Sequence, residues 1–573
     1  MIELRNLYYA YDYEGENVLN GLSLTFREGE WTAVIGANGS GKSTMARHIN
    51  GLLQPDRGQV LVDGLDAADP QQLLQIRERV AFVFQNPDNQ LVATTIEDDI
   101  AFGPENLGLD PDEIGRRVDR ALDITGLVDK RSQAPHQLSG GEKQRVAIAG
   151  ALAMASCYMI LDEPTSMLDP QMRLQVIAML QKLHSELGMG LIYVTNIMEE
   201  VLLAQRVVVV SHGRVVFDGT PREVFSRVEM LTELGLDVPP LCRLSAQLAD
   251  AGYPQLRGCL DQEELYAALT ALPQAQPGQG STAAPIMPAA EPQRRPYVEL
   301  EQVAYRYGKD APAALSEFDL RIWQGQRVAV IGHSGSGKNT LSNLIAGLYE
   351  PSAGRITVAG QEKEKKRIFR KVGMVFQYPE QQLFAENVYE EVCFGARNAG
   401  IAEERLPQLA AESMHAVGLD LEVLAERSPF ALSGGQKRRV CIAGVLAVHP
   451  KVLLLDEPTA GLDEGGRRWI LELVRTYNNE DNTVIWVSHN MEEVAELAQR
   501  IVVLDHGRKL LEGTVEEVFA EGELLQRHGL DVPQAAQLVR RLRAAGYPLP
   551  GRAVTVEAAA AEILAWLGGG ANA

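Results

Sequence analysis

The sequence predicts an α/β protein in which one domain occurs twice along the chain, and three observations carry this prediction. The segments "LSGGEKQR" and "LSGGQKRR" begin at Leu138 and Leu432, 294 residues apart (432 − 138). In each copy an apolar run of strand length leads into a glycine-rich loop and then into a helix pattern. Farther along each copy, a second apolar run ends in two acidic residues. A period this long indicates a duplicated domain and not a solenoid.

The composition fits two globular domains. A chain of 573 residues is too long for one hydrophobic core, and 46% hydrophobic with 23% charged residues is an ordinary globular content. The net charge of −22 argues against a nucleic-acid binder that works by neutralising phosphates. No run reaches the roughly 18 apolar residues of a membrane span. The five scattered cysteines form no metal-binding spacing, so we expect reduced, buried thiols in a cytosolic protein.

The repeat also sets the expected domain boundaries. Matching tails, "GLDVP" at Gly235 and at Gly529, show that the duplication continues beyond the acidic motifs. Apolar periodicity in these tails predicts small helical extensions, whereas the Pro-, Ala- and Gln-rich stretch between the copies predicts a flexible linker. The predicted segments are domain 1 (1–225), its extension (226–272), the linker (273–296), domain 2 (297–520) and its extension (521–573).

The glycine-rich loop of the first copy, "GANGSGKS", matches the phosphate-loop pattern G-x-x-x-x-G-K-[ST]. Its glycines let backbone N–H groups surround phosphates, and the following helix adds its positive end. Lys42 is then expected to reach the β- and γ-phosphates, and the Ser43 hydroxyl to bind Mg²⁺. The loop of the second copy, "GHSGSGKNT", has Asn339 in place of that serine. The expected ATP contacts are Gly36, Asn38, Gly39, Gly41, Lys42, Ser43, Thr44, Gly332, Ser334, Gly335, Gly337, Lys338, Asn339 and Thr340.

The acidic strand ends predict the catalytic carboxylates. In "CYMILDEP", Asp162 can hold Mg²⁺ through a water molecule, and Glu163 can polarise the attacking water. The second copy repeats the motif as "VLLLDEP", with Asp456 and Glu457.

The segment "LSGG" opens a helix with small residues whose N–H and hydroxyl groups can meet an anion, although alone it is equally a helix N-cap. Together with the phosphate loop and the acidic strand end, it resembles the signature of the ATP-binding cassette (ABC) ATPases. The resemblance covers about 1–225 and 297–520 and contains every cassette motif, in order, twice. It implies that the signature residues also contact ATP: Ser139, Gly140, Gly141, Ser433, Gly434 and Gly435.

Other positions acquire roles through the same resemblance. Gln85 in "VFQNPDNQ" and Gln377 in "VFQYPEQQ" look like the Q-loop glutamine, which meets Mg²⁺ and the attacking water. Tyr11 and Tyr307 look like the aromatic residue that stacks on adenine, with a half-buried strand aromatic as the alternative.

The switch segments of the two copies differ. "IYVTNIMEE" and "IWVSHNMEE" fall where the family has its switch histidine, which donates to the γ-phosphate and orients the water. His489 fits this role, whereas Asn196 offers a shorter, uncharged amide.

The family resemblance implies a head-to-tail pair of cassettes within one chain, with ATP between the phosphate loop of one and the signature of the other. Site one would use Lys42, Ser43, Gln85, Asp162, Glu163 and Asn196 with the second signature; site two would use Lys338, Asn339, Gln377, Asp456, Glu457 and His489 with the first. Site one lacks the switch histidine and site two lacks the hydroxyl ligand. We expect unequal hydrolysis with site two more active; the alternative is that both departures have little effect.

The nineteen residues that follow each Q-loop glutamine narrow the class. "QNPDNQLVATTIEDDIAFG" and "QYPEQQLFAENVYEEVCFG" resemble the paired ATPases of energy-coupling-factor (ECF) transporters, which import vitamins and transition metals. The resemblance implies a transmembrane coupling protein and a substrate-binding membrane subunit as partners, no nucleic acid, and a place on the cytoplasmic face of the membrane. Four acidic residues would pair with arginines of the coupling protein, the alternative being that they only solvate a helix face: Asp98, Asp99, Glu390 and Glu391.

Three alternatives remain at this point. A soluble twin-cassette factor acting on ribosomes usually carries a charged helical arm, which this linker lacks. A twin-cassette sugar importer fits the motifs less well than the ECF class does. A cassette protein without hydrolysis conflicts with the intact Glu163 and Glu457.

Overall fold

The computed structural model describes residues 1–11, 16–166, 168, 170–272, 296–308, 311–362 and 371–568. The predicted linker lies outside the described residues, except for Pro296, which begins a strand. The chain divides into two compact units. The first comprises Met1–Ala246, Leu256–Asp261 and Asp463–Gly465, and the second comprises Gln247–Gln255, Gln262–Leu462 and Gly466–Ala573.

The first unit is built on two sheets. Its strands are β1 (Ile2–Tyr9), β2 (Leu19–Phe26), β3 (Trp31–Ile35), β4 (Arg57–Val62), β5 (Leu65–Asp66), β6 (Val80–Val83), β7 (Tyr158–Asp162), β8 (Gly190–Val194), β9 (Arg206–Ser211) and β10 (Arg214–Gly219). An antiparallel sheet has the order β2-β1-β4-β5, and a second sheet has the order β10-β9-β3-β8-β7-β6. The second sheet is parallel apart from the β9–β10 pair, so the carboxyl ends of β3, β7 and β8 meet at one edge.

The helices of the first copy connect its strands and pack with them in the hydrophobic cores. They are α1 (Lys42–Ile49), α2 (Leu73–Arg79), α3 (Ile96–Asn106), α4 (Pro111–Thr125), α5 (Gly140–Ala153), α6 (Pro170–Leu187), α7 (Met198–Val201), α8 (Pro221–Phe225), α9 (Val228–Glu233), α10 (Pro240–Asp250) and α11 (Gln262–Thr270). Among these, α3, α4 and α5 pack on one another as the helical subdomain.

The second unit repeats both sheets. Its strands are β11 (Pro296–Arg306), β12 (Ala313–Trp323), β13 (Arg327–Ile331), β14 (Ala353–Val358), β15 (Gln361–Glu362), β16 (Val372–Val375), β17 (Val452–Asp456), β18 (Thr483–Val487), β19 (Arg500–Asp505) and β20 (Arg508–Thr514). The sheet orders are β12-β11-β14-β15 and β16-β17-β18-β13-β19-β20, which are the orders of the first unit.

All but one of the helices of the second copy match helices of the first in their sequence positions; the exception is Leu421–Leu424. They are α12 (Lys338–Ala346), α13 (Val388–Asn398), α14 (Leu406–Ala416), α15 (Leu421–Leu424), α16 (Gly434–Leu446), α17 (Glu464–Tyr477), α18 (Met491–Leu497), α19 (Val515–Ala520), α20 (Gly522–Arg527), α21 (Gln534–Ala544) and α22 (Val556–Trp566). In the part of the chain that the structure describes, no helix has the length and apolarity needed to cross a bilayer.

The central strands of each parallel sheet are buried throughout. Every residue of β3 and of β7 is buried, as is every residue of β17 and of β18. Continuous runs such as "YMILD" and "VLLLD" suit this position because both faces of the parallel sheet are covered, one by helices and the other by the antiparallel sheet with further helices. The polar residues that close these strands are thereby fixed at the sheet edge. The predicted α/β fold with two cassettes, helical subdomains and helical extensions is confirmed.

The carboxyl-terminal segment of the first copy contributes α11 to the second unit. There α11 packs against α21. The Arg541 guanidinium pairs with the Glu263 carboxylate and stacks on the Tyr266 ring, 4.2 Å from its centroid. The Tyr253 hydroxyl donates to the Leu567 carbonyl at 3.0 Å. Within the second unit, α11 from the extension of the first copy therefore packs with the helical extension of the second copy.

The expectation of buried thiols holds for three cysteines and is wrong for another. Cys242, Cys259 and Cys393 are buried and Cys441 is half-buried, but Cys157 is exposed. It lies in the turn that enters β7, where the chain is still at the surface.

A glycine turn supports the phosphate loop of the first unit, and substituting it should destabilise the protein. Gly213 has φ +70, and a Cβ there would lie 2.3 Å from the Val18 carbonyl oxygen, whereas Gly235 has the same φ with no atom within 4 Å. We expect Gly235→Ala to cost about 1–2 kcal/mol from backbone strain alone. Gly213→Ala should cost a further 1–3 kcal/mol, approximately, from overpacking. Urea unfolding midpoints of the two variants measure the difference, and equal midpoints would contradict it.

Candidate active site

The phosphate loop of the first copy joins β3 to α1 and folds tightly against β9. A Cβ on Gly36 would lie 2.2 Å from the Val210 carbonyl oxygen, so only glycine fits there. Lys42 is buried, and its Nζ donates to the carbonyl oxygens of Gly36 at 2.5 Å and Ala37 at 3.2 Å. Burial lowers the pKa of this ammonium group. The loop thus holds its lysine at the point where the sequence predicts phosphate.

The second phosphate loop has the same construction between β13 and α12. Lys338 is buried, and its Nζ donates to the carbonyl oxygens of Gly332 at 2.7 Å and His333 at 3.0 Å. Gly335 and Gly337 have positive φ, as do Gly39 and Gly41 in the first loop. The two loops therefore share the same backbone conformation at these glycines.

Residues predicted to hold Mg²⁺ fit a divalent cation, and two of them are in contact in the first copy. The Ser43 hydroxyl donates to Asp162 Oδ1 at 2.8 Å. Asp456 is buried, and its Oδ1 has no hydrogen-bond partner among the described residues. Burial raises the pKa of both carboxyl groups, to about 6 for Asp456. A cation would compensate such desolvated oxygens. Asn339, the predicted replacement for the serine hydroxyl, is exposed at the start of α12.

Glu163 is held by two amide donors. Gln85 Nε2 donates to Glu163 Oε2 at 2.9 Å, and Asn196 Nδ2 donates to Oε1 at 2.8 Å. The residue has φ 48, a left-handed conformation that non-glycine residues rarely adopt, and its N–H donates to the Val194 carbonyl at 2.9 Å. The structure therefore brings together the three predicted residues of strand end, Q-loop and switch segment.

Glu457 is held in the same way, with an imidazole in place of one amide. Gln377 Nε2 donates to Glu457 Oε2 at 2.7 Å, and His489 Nδ1 lies 3.0 Å from Oε1. The φ of Glu457 is 47, and its N–H donates to the Val487 carbonyl at 2.9 Å. The backbone geometry of the two copies is thus the same, and the switch residue is the chemical difference.

The switch residue changes the electrostatics of the glutamate. Burial raises the pKa of Glu163, and the charge of Lys42 only partly offsets this. Burial acts on Glu457 too, but the hydrogen bond and charge of His489 bring its pKa below the ordinary value. The carboxylate of the second copy is therefore the more firmly ionised of the two.

A buried glutamate in each switch helix was missed by sequence reasoning. The Glu200 carboxylate accepts hydrogen bonds from the hydroxyls of Thr165 at 2.7 Å, Tyr193 at 2.7 Å and Thr195 at 3.0 Å. The Glu493 carboxylate accepts a hydrogen bond from the Thr459 hydroxyl at 2.9 Å. These bonds tie the residues after the catalytic glutamate to the switch segment. The available signal was the second acid of "MEE", which occurs in both copies.

The predicted adenine-stacking tyrosines lie beside the phosphate loops. The Tyr11 hydroxyl lies 3.1 Å from Thr44 Oγ1, and the Tyr307 hydroxyl lies 2.9 Å from Thr340 Oγ1. Both rings are exposed, at 55% and 62%, so they are not the half-buried strand aromatics of the alternative. Stacking on adenine stays a prediction.

The signature residues begin α5 and α16 as capping boxes. Ser139 caps the N–H of Glu142, and Ser433 caps that of Gln436. Lys130 pairs with the Glu142 carboxylate and lowers the pKa of that carboxyl group to about 2. The second copy has the uncharged Gln436 at this position. Ser139, Gly140, Ser433, Gly434 and Gly435 are exposed, whereas Gly141 is buried against Met172. The N-cap reading is correct, and contact with ATP stays a prediction.

The four acidic residues expected to bind partner arginines all have partners inside the chain. Asp99 Oδ1 accepts the N–H groups of Val92 and Ala93, and Glu391 Oε2 accepts those of Phe384 and Ala385. In addition, Asp98 accepts the hydroxyl of Thr95, and Glu390 pairs with Arg397. Asp99 and Glu391 therefore shape the loop after the Q-loop glutamine, because they cap its backbone.

An apolar groove adjoins this loop in the second unit. It has a volume of about 410 Å³ and is lined by residues of β16, α13 and α16. Leu348, Phe384 and Phe394 line it and are 57%, 58% and 45% exposed, and the two phenylalanine rings pack edge to face. Glu391 adds a carboxylate to the wall. The first copy has Val92 in place of Phe384.

The chain belongs to the ABC transporter family. The model of that family matches residues 19–166 and 315–460, which contain both phosphate loops, Q-loops, signatures and catalytic acids. The protein is therefore an ATP-binding twin-cassette ATPase.

Relatives match over the whole chain and over one cassette. A protein of Methanosarcina acetivorans described as an ABC transporter ATP-binding protein is 37% identical over 97% of this chain and 92% of its own. The energy-coupling factor transporter ATP-binding protein EcfA1 of Symbiobacterium thermophilum is 52% identical over 44% of this chain and 88% of its own. EcfA1 of Clostridium novyi is 46% identical over 48% of this chain and 98% of its own.

The buried Glu493 predicts a pH-dependent stability. Burial raises its pKa to about 7 from the ordinary 4.5, so the folded protein binds this proton more tightly than the unfolded chain. The stabilising contribution is complete below about pH 4.5 and is lost as the pH rises through about 7. Relative to Glu493→Gln, we expect the wild type to lose on the order of 3 kcal/mol between pH 5 and pH 8.5. Thermal unfolding against pH measures this, with the exposed Glu516→Gln as control, and a difference that does not change with pH would contradict it.

Proposed function

We propose that this protein is the ATP-hydrolysing energy-coupling subunit of an ECF-type importer for a vitamin or a transition-metal micronutrient. Its cassettes, proposed as 1–225 and 297–520, would pair within the chain so that each ATP meets one phosphate loop and the opposite signature. The observation that carries the proposal is the apolar groove beside Gln377, an exposed surface suited to a short partner helix. The identity of single cassettes to EcfA1 proteins supports it.

The proposed hydrolysis follows from the geometry of each copy. Lys42 and Lys338 hold the phosphates, and Mg²⁺ would be held by Ser43 with Asp162 and Gln85, and by Asn339 with Asp456 and Gln377. When bound, Mg²⁺ neutralises developing charge on the phosphates. Glu163 and Glu457, fixed by two donors each, orient the attacking water. Asn196 and His489 stabilise the γ-phosphate, the second more strongly because it can carry charge.

The groove is proposed to bind a transmembrane coupling protein at the cytoplasmic face of the membrane. Its exposed phenylalanines offer apolar contact, and the Glu391 carboxylate, whose Oε2 caps the loop, offers Oε1 as a partner for arginine. Closure and opening of the cassettes during the ATP cycle would then move this groove and the helix within it.

Turnover by single-site variants tests the inequality of the two sites. Glu163→Gln and Glu457→Gln each remove one water-orienting carboxylate, and loss of a transition-state interaction typically costs about 10²–10³ in rate. We expect Glu457→Gln to remove most of the turnover and Glu163→Gln to remove less, because only Glu457 is paired with an imidazole. Steady-state phosphate release measures both. Equal losses would refute unequal sites.

Co-purification with membrane proteins tests the groove. Phe394→Glu places a charge among apolar side chains, so we expect at least about a tenfold loss of co-purifying integral membrane protein, at roughly 1.4 kcal/mol for each tenfold change. Val216→Glu, on β10 and 45% exposed, is the matched control and should retain binding. Unchanged co-purification of Phe394→Glu, or ribosomes in place of membrane proteins, would contradict the proposal.

A further inference from the structure

A cluster of histidines surrounds one aspartate beside the second phosphate loop. Asp505 closes β19, and the turn that follows places His506 next to it with φ 43. His333, the second residue of the phosphate loop, lies with Nε2 at 2.9 Å from Asp505 Oδ1. His506 Nε2 lies 3.8 Å from the same oxygen. The candidate ligand atoms of these three residues all lie within 4.8 Å of one another.

From this arrangement we propose a binding site for one divalent transition-metal ion of the zinc and cobalt class, with His333, Asp505 and His506 as ligands. Two imidazoles and one carboxylate form a ligand set that suits such ions and leaves one coordination position open. Mg²⁺ is disfavoured because it prefers oxygen ligands.

The surroundings orient these ligands. His333 Nδ1 lies 2.6 Å from the Ser334 carbonyl oxygen, a hydrogen bond that leaves Nε2 for the ion. The other oxygen of Asp505 is held by Nδ1 of His528, the residue that follows α20, at 3.0 Å. Metal-binding carboxylates and imidazoles commonly have such hydrogen-bonded supports. His528 is therefore a positioning residue of the site.

The first copy has the same backbone without the ligands. The positions of His333, Asp505 and His528 are occupied there by Ala37, Ser211 and Leu234. Only the turn histidine is retained: His212 has φ 48, close to the φ 43 of His506. The cluster is thus a feature of the second copy, and the matching positions of the first copy serve as an internal control.

The site would connect the metal to the nucleotide loop. The carbonyl oxygen of His333 accepts a hydrogen bond from Lys338 Nζ at 3.0 Å. A metal ion on the His333 imidazole would therefore restrain the residue that helps to position the phosphate-binding lysine. This inference goes beyond the proposed function, since it requires neither transport nor a membrane partner.

Metal titration of the full chain, untagged and freed of metal, tests the proposal. We expect Co²⁺ to give the visible absorption bands of a site with nitrogen ligands, and Zn²⁺ to displace it with a stoichiometry of one. His506→Asn should weaken Zn²⁺ binding by more than about 100-fold, and His528→Gln by about 10–100-fold. Asparagine is chosen because it tolerates the left-handed backbone.

His212→Asn is the matched control and should bind Zn²⁺ as the wild type does. Thermal unfolding without metal reports whether each variant is folded. If His506→Asn does not fold, His528→Gln still tests the proposal. The proposal is overturned if the wild type shows no saturable Co²⁺ or Zn²⁺ binding, because the cluster is then only a set of imidazole–carboxylate pairs. Equal affinity in His506→Asn and wild type also overturns it.

Discussion

The site of each cassette depends on one constraint, the fixed position of a glutamate just beyond a fully buried strand. Glu163 and Glu457 have left-handed backbone conformations, and each donates its N–H to the neighbouring parallel strand. Such a conformation costs on the order of 1–3 kcal/mol and persists only where the surroundings enforce it. Here the enforcing groups are the buried strand on one side and two side-chain donors on the other. The Q-loop and the switch segment therefore converge on the same carboxylate.

This constraint explains why one substitution changes the chemistry of one site without changing its geometry. Asn196 and His489 both reach Oε1 of their glutamate, at 2.8 Å and 3.0 Å. An amide supplies a neutral donor, whereas an imidazole can supply a charge. The opposite directions of the two glutamate pKa values follow from that difference. Glu200 and Glu493 accept hydrogen bonds from Thr165 and Thr459, and so connect each switch helix to the turn that follows the catalytic glutamate.

The sequence predicted the duplicated fold and the local motifs well, because a phosphate loop or an acidic strand end lies within one short segment. It predicted less where the outcome depends on contacts between distant segments. Pairing of the acids after the Q-loop with a partner stays a prediction, but the sequence did not indicate that Asp99 and Glu391 cap their own loop. His333 and Asp505 are 172 residues apart (505 − 333), so no spacing in the sequence indicates that they meet.

We infer that the switch residue determines which catalytic glutamate is the more effective. Exchanging the two residues in one chain, as Asn196→His with His489→Asn, tests it most directly. Glu163→Gln and Glu457→Gln are then introduced separately into the exchanged chain, and steady-state ATP turnover is measured. If the switch residue sets the inequality, the larger loss of turnover now follows Glu163→Gln. If Glu457→Gln remains the more damaging change, the switch residue does not set the inequality, and the claim is wrong.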